Sequence, residues 1–318
     1  MISTEKLQEL LEQAKGNLGL PDSLPGLYEP IRYTLSAGGK RLRPLLCLAS
    51  CQACGVDPEE AINQAWGIEM FHNFTLLHDD VMDRADTRRG RPTVHIKWNE
   101  ATAILSGDTM LTLATQLMAR CPDEKLPEML RLFNRTAIEI YEGQQMDMDF
   151  EARTDVSVDE YLEMIRLKTA VLLSCACRAG AMMAHATEQT LGALSRWAEN
   201  VGMAFQLRDD YLDTYGDAET FGKIPGGDIL NDKKTWLLIT AMAEAPDAIL
   251  PLLGGERSQA KVDAVRAVYD SLNLAGRINE LIDRYSTLAG EALVEANIPA
   301  SSRKWFEELT ASLTNRDR

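Results

Sequence analysis

Residues along this chain recur at the three- and four-residue spacing of a helix face packed on a core. Leu7, Leu10, Leu11 and Ala14 form one stripe. Ile62, Ala65, Trp66 and Glu69 form a second, and Tyr161, Met164, Ile165, Lys168 and Leu172 a third. Strand-like alternation is scarce. Breaks fall at Pro21 to Pro30, Cys121 to Pro127, Gly222 to Gly227, Pro246 to Gly255 and Pro299, each short enough to join packed helices. With no long linker, the pattern predicts an all-α protein, a single large helical bundle with one domain over residues 1–318.

Composition agrees with a sizeable core: 45% of residues are hydrophobic and 25% charged, which is a globular balance. The charge is lopsided. Lys and Arg total 33 against 48 Asp and Glu, a net charge of −15 that argues against nucleic acid or an anionic membrane face as partner. The first twenty residues read as an acidic amphipathic helix without the basic start of a signal peptide, so they are expected to be retained. Thr169 to Ala186 is the most apolar stretch, but Arg178 and its small residues suit close helix packing and predict no membrane span. The six cysteines lack a disulfide framework, and the CxxC of Cys51 and Cys54 has no second pair beside it. Both point to packing groups in a reducing cytoplasm.

One acidic word occurs twice, DDVMD at 79–83 and DDYLD at 209–213. On a helix the first and last Asp of each share a face one turn apart, with the middle Asp adjoining. Like charges at this spacing destabilise a helix by about 0.2–0.5 kcal/mol per pair, so a second occurrence asks for a compensating ligand. Carboxylate oxygens suit Mg²⁺, which keeps water and recruits phosphate in preference to an all-protein cage. Basic clusters supply the complement. Lys40, Arg41 and Arg43 lie in GGKRLRP, Arg88, Arg89 and Arg91 in RRGRP, and Lys223, Lys233 and Lys234 in GKIPGGDILNDKKT. Two acidic combs and at least two basic clusters predict two diphosphate sites, one bridged by metal and one held by basic side chains alone. No Ser/His/Asp or Cys/His arrangement suggests a protein nucleophile.

The ordered words GGKRLRP, MFHNFTLLHDDVMD with TRRGRPT, GDTML, EGQQMD, LKTA, FQLRDDYLD and GKIPGGDILNDKKT resemble the trans-isoprenyl diphosphate synthases of the polyprenyl synthetase family. The resemblance runs from about Leu27 to the C-terminus. It implies an isoprenoid synthase fold, a helical bundle around a deep central cavity, and a prenyltransferase that joins isopentenyl diphosphate to an allylic diphosphate. It implies Mg²⁺ at Asp79, Asp80, Asp83, Asp209, Asp210 and Asp213. Lys40, Arg43, His72 and Arg89 would hold isopentenyl diphosphate; Arg88, Lys168 and Lys233 would face the allylic diphosphate, with Lys223 nearby. Gln144, Asp147, Thr169 and Gln206 would line the site, and a homodimer is implied as well.

Product length is read from the helix before the first comb. Thr75 and Phe71 lie four and eight residues before Asp79, about 6 and 12 Å beneath it, and Phe74 points to a neighbouring face. An aromatic at 74 with a small residue at 75 resembles geranylgeranyl makers more than farnesyl makers, which makes twenty carbons the expectation, fifteen the runner-up and longer chains third. A terpene cyclase would have no use for GGKRLRP beside RRG, and a non-catalytic subunit would be expected to lose Asp from one comb.

Overall fold

The computed structural model describes residues 3–216 and 226–314. Apart from one two-stranded hairpin, the regular elements among these residues are helical: α1 (Thr4–Ala14), α2 (Pro25–Leu35), α3 (Leu42–Ala53), α4 (Ile62–Met82), β1 (Thr87–Arg88), β2 (Arg91–Pro92), α5 (Val94–Lys97), α6 (Glu100–Met118), α7 (Leu126–Ala152) and α8 (Val158–Ile165). A π-turn (Arg166–Ala170) leads into α9 (Val171–Met183), followed by α10 (Glu188–Tyr215), α11 (Gly227–Leu230), α12 (Trp236–Glu244), α13 (Pro246–Ile249), α14 (Gln259–Ser271), α15 (Leu274–Glu295) and α16 (Ala300–Thr314). Among these, no helix is long and apolar enough to cross a membrane.

Helix starts follow from side chains that satisfy orphan amides. Asn99 accepts from the Thr102 amide at 2.8 Å to open α6, and Ser157 forms a reciprocal capping box with Glu160 at the head of α8. One expected break is shorter than read. Proline at the first helical position is already set for helical φ, so α2 begins at Pro25 and carries Pro30 in its second turn. The Pro246 to Gly255 break likewise contains two short helical turns, α13 and a 3₁₀ turn at Leu250–Leu252.

The chain divides into two compact units, residues 1–135 with 175–191, and residues 136–174 with 192–318. In the first, α4 and α6 approach closely because glycines leave room: a Cβ on Gly67 would meet Met118 Sδ at 3.0 Å, and one on Gly107 would meet the His78 ring at 2.2 Å. Trp66, buried on α4, donates its indole N–H to the Leu11 carbonyl at 3.0 Å and so ties down α1. Four of the cysteines, Cys47, Cys51, Cys175 and Cys177, are buried here, and all six are free. Burial pushes the Cys51 and Cys177 thiols up to about 12, which leaves them neutral packing groups, as the isolated CxxC suggested.

The β1–β2 hairpin pairs Arg88 with Arg91. It is fastened by Tyr33, whose ring lies 3.9 Å from the Arg91 guanidinium and 3.8 Å from the Lys97 ammonium, and whose hydroxyl donates to the Pro92 carbonyl at 2.8 Å. The second unit has its own core. Tyr161, Ile165, Leu207, Trp236, Tyr269 and Ile282 belong to one buried cluster.

Gly180, on α9, carries the tightest backbone approach in the first unit, since an added Cβ would lie 1.9 Å from the Cys47 carbonyl oxygen. Gly180→Ala should therefore destabilise the protein by about 1–3 kcal/mol in a denaturant melt. An unchanged midpoint would mean that α3 and α9 lie further apart than described.

Candidate active site

The basic end of the first unit begins at a loop only glycine accommodates well. Gly38 and Gly39 sit at φ +76° and +120°, and a Cβ on Gly39 would lie 2.9 Å from Arg89 Nη1, which instead donates to the Gly38 carbonyl. Lys40 is exposed beside them. Arg43 Nη1 stands 3.2 Å from His72 Nε2, and Arg43 Nε is buried without a partner among the described residues. Burial pulls the Arg43 guanidinium down to about 10, with Glu69 opposing the shift and Arg89 adding to it. His72 is held well below the usual imidazole range, first by burial and then by Arg43, Arg89, Arg88 and Arg41. It is therefore neutral, and because arginine can only donate, Nε2 accepts and the proton resides on Nδ1.

Beneath this cluster lies a residue the site prediction omitted. Glu69 is 3% exposed and pairs with Arg41, itself 8% exposed, while Asn73 Nδ2 donates to Glu69 Oε1 at 2.7 Å. A glutamate in phase with an apolar helix stripe was the available signal: a carboxylate facing a core needs a cation.

The first aspartate word closes α4. Asp79 and Asp80 lie in its last turn, and Asp83 is the exposed C-cap, donating its N–H to the Asp79 carbonyl at 2.8 Å. Asp80 accepts from Arg88 Nε at 2.7 Å, yet burial outweighs that pairing and its carboxyl is pushed up. On the same helix Phe71 is fully buried, 5.2 Å from the Phe133 ring and 5.5 Å from Phe74, whose ring in turn lies 4.7 Å from His78. Thr75 is half-buried, its hydroxyl donating to the His72 carbonyl at 2.8 Å. His78 Nε2 donates to the Ile104 carbonyl at 3.1 Å, joining α4 to α6.

The second unit gathers the other set. Asp209, Asp210 and Asp213 all lie within α10. Asp210 is buried and accepts a hydrogen bond from the Tyr161 hydroxyl. Burial pushes its carboxyl up to about 7, against the pull of Lys233 and Tyr161. Asp213 Oδ2 accepts the Asp228 amide of α11 at 2.8 Å. Lys168 bonds Asp147 at 2.5 Å, Thr169 Oγ1 lies 3.4 Å from Gln206 Oε1, and Gln144 Oε1 is buried without a partner among the described residues. Lys233 stands 3.5 Å from Asp228. Burial opposes its ammonium, but Asp228, Asp210 and Asp147 together hold its pKa above the usual value. Lys223 lies outside the described residues. Tyr161, two turns before Lys168 on the same predicted stripe, was read as core and also anchors the second comb.

The two sets differ in sign, and that decides what each can hold. Arg43 and Arg89 can take a diphosphate directly. In the second unit the carboxylates of Asp147, Asp209, Asp210, Asp213 and Asp228 outnumber the ammoniums of Lys168 and Lys233, so an anion would need added positive charge. Among the described residues no three His, Cys, Asp or Glu side chains form a ready cage. The donors are all oxygen, and buried Asp80 and Asp210 would be relieved by a nearby cation, so they fit a hard divalent ion that draws its remaining ligands from water and phosphate.

The fold is all-α, and each unit gathers charged side chains whose chemistry suits a diphosphate. A crystal structure titled geranylgeranyl pyrophosphate synthase superposes with a TM-score of 0.94 at 41% identity, covering 99% of each chain. The geranylgeranyl diphosphate synthase of Methanosarcina mazei is 38% identical over 255 residues, 80% of this chain and 78% of its own. The geranylgeranyl pyrophosphate synthase of Geoglobus acetivorans is 38% identical over 317 residues, 98% of this chain and 95% of its own. The polyprenyl synthetase family model matches residues 25–272, and the chain belongs to that family of prenyltransferases.

Two measurements test the basic cluster. In a ¹⁵N NMR titration His72 should remain the neutral Nδ1–H tautomer through pH ~6.5, where an ordinary imidazole is half protonated. An imidazolium signal there would contradict the burial and charge described. Glu69→Ala strands a buried guanidinium and should cost about 3–5 kcal/mol of stability in a denaturant melt, with Glu69→Gln costing less.

Proposed function

We propose that this chain condenses isopentenyl diphosphate with an allylic diphosphate (dimethylallyl, geranyl or farnesyl) and that geranylgeranyl diphosphate is the main product. The observation that carries the proposal is the contrast of sign between the basic cluster around Arg43 and the carboxylate-rich set around Asp210. Two diphosphates, one taken by side chains and one carried in by metal, match that contrast. The names and identities of the relatives support the twenty-carbon product.

In this reading Lys40, Arg43, His72 and Arg89 hold isopentenyl diphosphate, with neutral His72 accepting from Arg43 and so fixing the guanidinium. Asp79, Asp80, Asp83, Asp209, Asp210 and Asp213 would hold Mg²⁺. When bound, it supplies Lewis-acid stabilisation of the leaving diphosphate. Arg88, Lys168 and Lys233 exchange their carboxylate partners for phosphate oxygens and stabilise the charge that grows as the allylic C–O bond breaks. The isopentenyl double bond attacks the allylic carbon, a C–C bond forms, and the proton lost from the adduct passes to the released diphosphate. Gln144, Asp147, Thr169 and Gln206 position these groups, Lys223 assists the allylic diphosphate, and Phe71, Phe74 and Thr75 limit the growing chain.

The whole chain is taken as one catalytic domain, working as a homodimer in the cytoplasm. The exposed apolar side chains Ile138, Tyr141 and Met148 on α7 support a self-association face, and six free thiols suit a reducing compartment.

Purified protein given Mg²⁺, labelled isopentenyl diphosphate and each primer in turn should yield mainly the twenty-carbon diphosphate, and EDTA should abolish it. Failure to elongate any primer would remove the proposal. Asp80→Ala and Asp210→Ala should each lower kcat by about 10²-fold or more. Phe74→Ala should shift the product beyond twenty carbons by chromatography; an unchanged product would take Phe74 out of the pocket.

A further inference from the structure

Lys168 and Thr169 sit in the π-turn, not in a regular helix. The Val171 amide reaches back five residues to the Arg166 carbonyl, the signature of one inserted residue. Two glycines press on this turn within the second unit. On α7, a Cβ at Gly143 would lie 2.5 Å from the Lys168 amide nitrogen and 2.8 Å from Leu167 Cβ. On α10, a Cβ at Gly202 would lie 2.7 Å from both Cα and Cβ of Ala170. Neither glycine has a positive φ, so backbone freedom is not the reason for it. Proximity is: each lets another backbone come nearer than any side chain would allow.

Spacing ties these contacts to the chemistry. One helical turn after Gly143 comes Asp147, which bonds Lys168 at 2.5 Å. One turn after Gly202 comes Gln206, which faces Thr169 at 3.4 Å. Each helix thus offers the same pair of features four residues apart, a glycine that admits the turn and a polar side chain that engages it.

We propose that Gly143 and Gly202 form a two-sided cradle that seats the π-turn and thereby positions Lys168 and Thr169 toward the diphosphate. Both are positioning residues; neither touches substrate. The proposal rests on the function proposed above, because it takes Lys168 to be an allylic-diphosphate ligand. A methyl at 143 meets backbone, which cannot swing aside as a flexible side chain would. The turn must then shift by about 1 Å, a displacement able to cost on the order of 10²-fold in rate.

The test uses full-length Gly143→Ala and Gly202→Ala, each also combined with Lys168→Ala. Wild-type elongation is measured first, and its absence would defeat the functional reading without bearing on the cradle. Given an active wild type, Gly143→Ala should lower kcat/KM for the allylic substrate about 10²-fold while KM for isopentenyl diphosphate stays within about twofold. Calorimetric titration with magnesium pyrophosphate should show the same weakening without turnover. In the Lys168→Ala background the added cost of Gly143→Ala should largely vanish, because it acts through Lys168. Equal rises in KM for both substrates, or an undiminished cost in that background, would overturn the cradle and leave the glycines with packing alone. Should Gly143→Ala not fold, Gly202→Ala in the same measurements decides, and there Ala170→Gly should restore part of the activity by removing the methyl that collides.

Discussion

A carboxylate or guanidinium taken out of water has to be answered by opposite charge, and that demand organises the candidate residues within each unit. Glu69 answers the buried Arg41 and moderates Arg43, which lets several arginines share the end of the first unit. Asp80 and Asp210 are answered only in part: each has a cationic or hydroxyl neighbour, and each is still pushed toward protonation by burial. A further cation placed beside either carboxylate would offset that burial. The helices serve this constraint, since a long rigid element can hold like charges near one another despite their repulsion.

Local packing supplies the rigidity. Tyr33 fixes the arginine hairpin by holding two cations against its ring, Gly107 gives His78 room to bond α6, and Asp213 receives the Asp228 amide of α11. None of these contacts is chemical in purpose. Each removes a freedom that a charged side chain would otherwise use to swing into solvent.

Much of the helical architecture was legible because buried faces repeat with the period of the helix: the stripes from Leu7 and Ile62 became helices where the pattern placed them, and the one from Tyr161 became two helices joined by the π-turn that holds Lys168. The acidic words and the GGKRLRP and RRG clusters were legible because carboxylates and guanidiniums cluster at a cost that asks for a ligand. What stayed hidden has a common cause. Glu69, Tyr161, Gly143 and Gly202 take their meaning from a partner far along the chain, and a single helix phase cannot say which side chain lies opposite. Pro30 misled in the other direction, because a proline near a helix start removes few hydrogen bonds and so need not end the helix. The π-turn left no trace in the residue pattern, since RLKTA suits an ordinary helix equally well.

Among the contacts already described, Arg88 is engaged by Asp80, Lys168 by Asp147 and Lys233 by Asp228. A cation so engaged is not an open receptor. An anion arriving alone would have to strip it away and leave a carboxylate bare, whereas an anion that brings its own divalent cation compensates both members of the pair at once. On the function proposed above, these three pairs would favour an anion that brings a divalent cation over phosphate or sulfate arriving alone, before shape or chain length is consulted.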